Sequence, residues 1–496
     1  MKGAGRLIAT ALLVVGITAC SVGPNYHPPA PEVPADWSEA PSKPASSNRA
    51  QVQWWQAFND PELDSLVERA VRANLGVRLA EARVREARAW RRIAAAPLYP
   101  SVDASSSYTR LWQDEDLFAP LSAGGKPVLL GQQPQNLFQV GFDASWELDV
   151  FGGTRRSIEA ARADFEAAHY QHEDVLRTLL AEVARNYIEL RGFQKQLDVA
   201  RSNLAAQQDT LQLTRARYEG GLASELDVAR AEAQVEVTRS QIPALETSYK
   251  EAVHRLSVLL DEPPGALSTE LAARVPIPGA PLELPADLPS DVLRQRPDLR
   301  RAERQLAAAT ARVGVATADL YPKFYLVGAA GLESLSASDF FTGGSKLWSV
   351  GPSITWPIFH GGQLVATIEV RDAQEQQALI SYRQAILNAL EEVENALVAY
   401  TRERNRYEAL TEAVASNKRA VTLATQLYTS GLSDMLNVLD AQRNLFQTER
   451  EQAQSEAATA VNFVALYKAL GGGAEAFASG QLASSRGSAA PIVVGP

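Results

Sequence analysis

The chain has 496 residues, with 48 Lys and Arg against 58 Asp and Glu, five His and a single Cys. A net charge of -10 argues against a nucleic-acid partner, which needs clustered cations, and so few His and Cys leave no basis for a His/Cys metal site or a disulfide framework. No metal and no cofactor are expected.

Residues 1–19 read as a signal peptide: Lys2 and Arg6 precede an apolar run from Leu7 to Ile17, and small residues lead to Cys20. The run is well short of the ~20 residues that cross a bilayer as a helix. A Cys after small residues resembles the bacterial lipobox, which makes Cys20 the lipidated first residue of the mature chain, with Ser21 favouring the outer membrane. Residues 20–50 then form an extended linker rich in Pro, Ala and Ser.

From residue 51 the chain is written twice. Leu98-Tyr99-Pro100 recurs as Leu320-Tyr321-Pro322, and the elbow Tyr218-Glu219-Gly220-Gly221-Leu222 recurs as Tyr428-Thr429-Ser430-Gly431-Leu432. The first repeat is placed at 51–260, a Pro-rich connector at 261–289, the second repeat at 290–473 and a disordered tail at 474–496. In the first repeat, Asp60-Pro61 is a helix start, a break falls near Asn74, and Pro97 and Pro100 end the helix.

A strand pair follows, at about 101–149 in the first repeat and about 323–358 in the second. Phe138, Val140, Phe142, Ala144, Trp146 and Leu148 alternate with polar residues, so one face is apolar and the other polar. Residues 102–110 are a weaker partner. In the second repeat Trp348, Val350, Ile354, Trp356 and Ile358 alternate well, whereas the partner run 323–332 alternates poorly. Each segment is near the ~9–11 residues of a tilted membrane strand. A soluble sandwich also alternates, but four strands are too few for a sandwich core and too few to close a membrane barrel. Open edges in lipid leave unpaired amides, so the sheet must be completed by copies of the chain, eight strands from two or twelve from three.

Long helices are expected at 154–218 and 363–428, the first close to ~100 Å at ~1.5 Å per residue. Heptads run through Val183, Leu190, Leu197, Leu204, Leu211 and Tyr218, and through Leu379, Ile386, Val393, Tyr400, Tyr407, Val414, Val421 and Tyr428. Repeats of that length mark coiled-coil packing. Gly221 and Gly431 end these helices, and return helices at 222–260 and 433–470 begin near the plausible caps Ser224 and Ser433, with a kink expected at Pro243.

With these residues in view, the chain resembles the outer-membrane efflux lipoproteins of the TolC/OprM type, NodT-like subfamily. The resemblance is carried by Trp146-Glu147-Leu148-Asp149-Val150-Phe151-Gly152, Leu288-Pro289-Ser290-Asp291-Val292-Leu293, Arg296-Pro297-Asp298, the block from Leu439 to Phe446, and the block from Leu466 to Gly473. It implies a mixed α and β fold in which a homotrimer forms a twelve-stranded transmembrane β-barrel, four strands per chain, continuing into a periplasmic α-helical coiled-coil barrel. It further implies an exit duct of a tripartite efflux pump, anchored to the outer membrane at Cys20 and working with a periplasmic adaptor and an inner-membrane pump of the resistance-nodulation-division type. The cargo implied is drugs or other toxic small molecules.

By the same resemblance the elbows Gly220, Gly221, Leu222, Ser224, Gly431, Leu432, Ser433 and Asp434 form the tip where the adaptor docks, although plain helix turns would use the same residues. Family members often carry acids on the long helix above the second elbow. This chain has Thr422 and Thr425 there, with no acid between Glu412 and Asp434, so closure of the pore falls to these threonines with Leu423 or Leu427. An alternative function is a coiled-coil spacer lipoprotein of the envelope, which leaves the strand pairs unexplained. An enzyme is not expected: His360-Gly361-Gly362 faintly resembles an oxyanion loop, but no Gly-x-Ser-x-Gly turn accompanies it. The acidic run Asp114-Glu115-Asp116 reads as solvated loop charge.

Overall fold

The computed structural model describes residues 21–30, 33–38, 53–111, 135–280, 295–473 and 477. Cys20, the run Asp114-Glu115-Asp116, the block from Leu288 to Leu293 and the tail apart from Phe477 lie outside them. In chain order the main elements are α1 (Pro61–Ala73), α2 (Leu75–Ala95), β1 (Ser101–Leu111), β2 (Gln135–Leu148), α3 (Gly153–Glu219), α4 (Glu225–Leu259), α5 (Pro297–Ala318), β3 (Lys323–Ser334), β4 (Lys346–Thr355), α6 (Gln363–Thr429) and α7 (Met435–Leu470). The chain divides into two compact units, one of residues 1–29, 85–166 and 304–380, the other of 30–84, 167–303 and 381–496.

The first unit holds the sheet. Its four strands are antiparallel in the order β1-β2-β3-β4, so the repeats are joined through the pairing of β2 with β3. That joint also explains why 323–332 alternates poorly. A Cβ on Gly331 would fall 2.4 Å from the Val140 carbonyl oxygen, and one on Gly141 would fall 3.0 Å from that of Ala330. The two backbones approach so closely that the positions accept only small residues.

Both repeats lock sheet to helix in one way. The Trp146 indole donates to the Leu98 carbonyl at 3.0 Å, and the Trp356 indole donates to the Leu320 carbonyl at 3.1 Å. The recurring Leu-Tyr-Pro segments are therefore the acceptors of two equivalent indole bonds. Asp149 serves the next helix: it accepts from the Thr154 and Arg155 amides at 3.0 and 2.9 Å, satisfying orphan donors at the start of α3.

The second unit is helical. Asp60 caps α1 by accepting from the Glu62 and Leu63 amides, and its other oxygen takes the buried Tyr187 hydroxyl at 2.7 Å. Asn74 ends α1 and opens α2, accepting from the Gly76 and Val77 amides. The main core gathers Trp54, Trp55, Leu63, Leu66, Val183, Ile188, Leu256 and Phe463. Phe477 stacks on Trp55 with centroids 5.7 Å apart. α4 runs through Pro243 as a single helix, and Thr247 donates to the Pro243 carbonyl at 3.0 Å.

The heptad stripes are buried along most of their length, including Val183, Leu190, Val393 and Tyr400. They end differently. Tyr218 is 45% exposed, whereas Tyr428 is 5% exposed, beneath the Arg217 guanidinium at 4.6 Å from its ring. Arg217 also donates to the Thr429 carbonyl at 3.2 Å, so the last turn of α3 covers the end of α6.

Around Arg296-Pro297-Asp298 the second unit builds an ion network. Arg296 is 2% exposed and meets Asp298 at 2.6 Å, Glu392 at 2.7 Å and the Ala469 carbonyl at 2.9 Å. Arg177 lies 3.7 Å from Asp298 and donates to the Lys468 carbonyl at 2.9 Å. Two guanidiniums thus bond the last carbonyls of α7, where a cation is favoured by the helix dipole. Burial raises the Asp298 carboxyl, but Arg296 and Arg177 outweigh it and hold the group below the ordinary aspartate range.

Candidate functional site

The register sorts the sheet into two faces. One carries Val102, Ala104, Tyr108, Phe138, Val140, Phe142, Trp146, Leu148, Phe324, Leu326, Leu332, Trp348, Val350 and Ile354. Much of it is open to solvent in a single chain, Trp348 at 76% and Val350 at 68%. The other face carries Asp103, Ser105, Ser107, Gln139, Asp143, Glu147, Glu333, Ser349 and Ser353. Its polar groups are linked across strands: Ser105 donates to Asp143 at 3.2 Å, Ser107 to Gln139 at 3.1 Å, and Gln139 to Glu333 at 2.8 Å.

A contiguous apolar face backed by a polar one is the pattern of a strand set with lipid on one side and water on the other. β1 and β4 form the two edges, and among the described residues no fifth strand pairs with either. No described helix is long and apolar enough to cross a membrane.

In the second unit both elbows close with the same hydrogen bonds. Gly221 and Gly431, at φ +73° and +75°, donate to the Tyr218 and Tyr428 carbonyls at 2.9 and 3.0 Å. Leu222 and Leu432 donate to the Arg217 and Leu427 carbonyls at 2.7 and 2.8 Å. This is the Schellman arrangement, and a positive φ there calls for Gly. The residue after the Gly ordinarily packs back on the helix, yet Leu222 is 70% and Leu432 77% exposed. Gly220, in the last turn of the first elbow, donates to the Ala216 carbonyl.

The return helices start differently. Ser224 makes a capping box: its hydroxyl accepts from the Asp227 amide at 3.2 Å, and its own amide donates to Asp227 at 3.1 Å. At the second elbow the cap position belongs to Asp434, which makes no side-chain cap, and Ser433 instead accepts from the Asn437 amide group at 2.9 Å. The expectation that Ser433 caps α7 is thus corrected by one residue. In the aligned repeat Ser433 matches Ala223, and Asp434 matches Ser224.

Thr422 and Thr425 donate to the Lys418 and Val421 carbonyls at 2.9 and 2.8 Å, so both hydroxyls are turned back on their own helix. Ala424 and Tyr428 face the core cluster with Leu211 and Met435. At roughly 100° per residue, the two threonines flank that buried face on one side and the exposed Leu423 and Leu427 on the other. The four residues therefore do not share one surface. Along the chain, the next acid after Asp434 is Asp440 on α7, paired with Arg443. Exposed Leu226 and Leu436 hold equivalent positions of the two return helices, each two residues before a Val, at Val228 and Val438.

Glycines 361 and 362 have φ of +58° and +83° and open the turn before α6, where His360 accepts, through its carbonyl, from the Gln363 amide. Among the described residues no group of three or more His, Cys, Asp or Glu is placed to hold a metal ion.

The two-faced sheet and the long heptad helices define a subunit of an outer-membrane channel. The profile of the outer membrane efflux protein family matches residues 66–262 and 288–472. Nodulation protein T of Rhizobium leguminosarum bv. trifolii is 33% identical over 458 residues, covering 92% of this chain and 95% of that protein. The toluene efflux pump outer membrane protein TtgF of Pseudomonas putida is 33% identical over 474 residues, covering 93% and 95%. Among solved structures, the outer-membrane channel OprN superposes with a TM-score of 0.85 at 36% identity, over 92% of this chain and all of that one. The chain belongs to the outer membrane efflux protein family. It acts in the outer membrane as an efflux duct, in a family of channel proteins rather than enzymes.

Proposed function

We propose that three copies join edge to edge, β4 of one against β1 of the next, into a twelve-stranded barrel that serves as the exit duct of a tripartite pump. The single observation that carries this is the sheet itself: its apolar face is continuous across four strands, while both edges still offer a ladder of amides and carbonyls. In hydrocarbon each unpaired backbone group costs several kcal/mol, so only closure by further copies is tolerable. Cys20 is the acylated N-terminus. The exposed Leu222 and Leu432, held on Schellman turns, are the apolar points on which a periplasmic adaptor docks. An inner-membrane pump, of the resistance-nodulation-division type, delivers cargo to that adaptor.

The cargo is small and toxic, in keeping with relatives that include a toluene efflux protein. The closed end is narrowed near the second elbow. Because Thr422 and Thr425 lie on one flank and Leu423 and Leu427 on the other, one pair faces the channel and the other a neighbouring helix. The polar hydroxyls are already bonded to their own backbone, which favours the leucines as the narrowing side.

Planar-bilayer recording of the purified, full-length protein tests the duct. Small discrete conductances are expected, rising severalfold in a Leu423→Ala, Leu427→Ala variant. A variant and parent that both remain silent, while the protein is inserted and folded, would return the chain to the envelope-spacer alternative.

A further inference from the structure

In the first unit, at the end of the sheet where the helices attach, residues 21–26 are held by more contacts than a tether needs. The Val22 amide donates to the Phe151 carbonyl at 3.1 Å. Arg156, in the first turn of α3 and 4% exposed, reaches across the same segment. Its Nε donates to the Val22 carbonyl at 3.2 Å, and one terminal nitrogen donates to the Gly23 carbonyl at 3.3 Å and to Asn25 Oδ1 at 2.7 Å. The other terminal nitrogen meets Glu159 at 2.8 Å.

Glycines make the close fit possible. Gly23 has φ +85°, and a Cβ there would fall 2.4 Å from the Gly314 Cα. A Cβ on Gly152 would fall 2.7 Å from the Ser21 hydroxyl, and one on Gly314 would fall 2.9 Å from the Arg156 side chain. Tyr26 then packs with Ala163, Ala307 and Ala308, under the Arg304 guanidinium at 5.7 Å. Phe151, the first acceptor, stacks on Tyr321 with centroids 4.6 Å apart, so the segment begins beside aromatic residues at the foot of the sheet.

We propose that Arg156 is a positioning residue for the membrane anchor: with Gly23, Gly152 and Gly314 it clamps residues 21–26, so that Ser21, the residue bonded to Cys20, is held at the foot of β2. The inference rests on the reading of Cys20 as the acylated residue. A free linker of six residues would let an anchor range over roughly 20 Å. Clamped, the acyl chains enter the leaflet next to the sheet. Ordering each residue costs about 1–2 kcal/mol of backbone entropy, which is why a buried guanidinium with three acceptors on the segment is needed to keep it docked.

The test uses the full-length protein in outer-membrane lipid vesicles. Cys20 is the only Cys, and acylation occupies its thiol, so Pro24→Cys gives a single site for a nitroxide spin label. The label is expected to be immobilised in the parent and mobile in both Arg156→Ala and Gly23→Ala, with Arg156→Lys intermediate. Acylation at Cys20, read by mass spectrometry, and the thermal midpoint of the helices are expected to be unchanged. A label mobile already in the parent, or still immobilised in Gly23→Ala, overturns the clamp. Gly23→Ala decides the matter if Arg156→Ala does not fold, because Gly23 belongs to the clamped segment and not to the body. An unmodified Cys20 thiol would remove the anchor reading alone, and the label is then read with Cys20→Ser added, where its mobility reports the clamp separately.

Discussion

At the scale of the residue, charge and backbone geometry carry the account. Asp298 meets Arg296 and Arg177 in a largely dry site, and its carboxyl is held below the ordinary aspartate value of 3.8. A lowered carboxyl adds stability that is complete above the unfolded-state value and is lost as pH falls through the folded one. Asp298→Asn should therefore lower the thermal midpoint at neutral pH by an amount corresponding to roughly 2 kcal/mol, less than the ~3–5 kcal/mol of a fully buried pair because the side chain keeps some exposure. The gap to the parent should close as pH is brought below 3.8. A gap that stays constant from neutral to acid pH would show that the charge is not what Asp298 contributes.

The scale of the element shows what could be read in advance and what could not. The recurring Leu-Tyr-Pro and Gly-Leu segments were legible because each half of the chain needs the same indole acceptor and the same left-handed helix end. The weak alternation of β3 was not, because Gly331 is small for the sake of β2, a strand that lies nearly two hundred positions earlier in the chain. Likewise the Ser433 expectation failed by one position: Ser and Asp are adjacent, both cap helices well, and only the backbone decides which of them turns.

The elbows yield the prediction at this scale. Leu222 and Leu432 make little packing within the chain, so Leu222→Ser and Leu432→Ser should leave stability unchanged. If each is buried by an adaptor, each loses about 2 kcal/mol of binding, some tenfold or more in affinity. The measurement is titration of the cognate adaptor against the parent and the double variant. Equal affinities would make the elbows plain helix turns.

At the scale of the whole molecule, one chain supplies a sheet with two complementary faces and two unpaired edges. The heptad helices, the family membership and the acidic, serine-rich polar face agree with a hollow passage built from several such sheets. Sequence patterning makes closure by copies necessary through the hydrogen-bond demand of strands in lipid, but it does not count the copies. The number three came from resemblance, since eight and twelve strands satisfy the backbone equally well.

Native mass spectrometry of the intact, detergent-extracted protein addresses that number most directly. A single species at three times the mass of the processed, acylated chain is the predicted result. A stable species at the mass of one chain, folded and with its apolar strand face covered, would contradict the account.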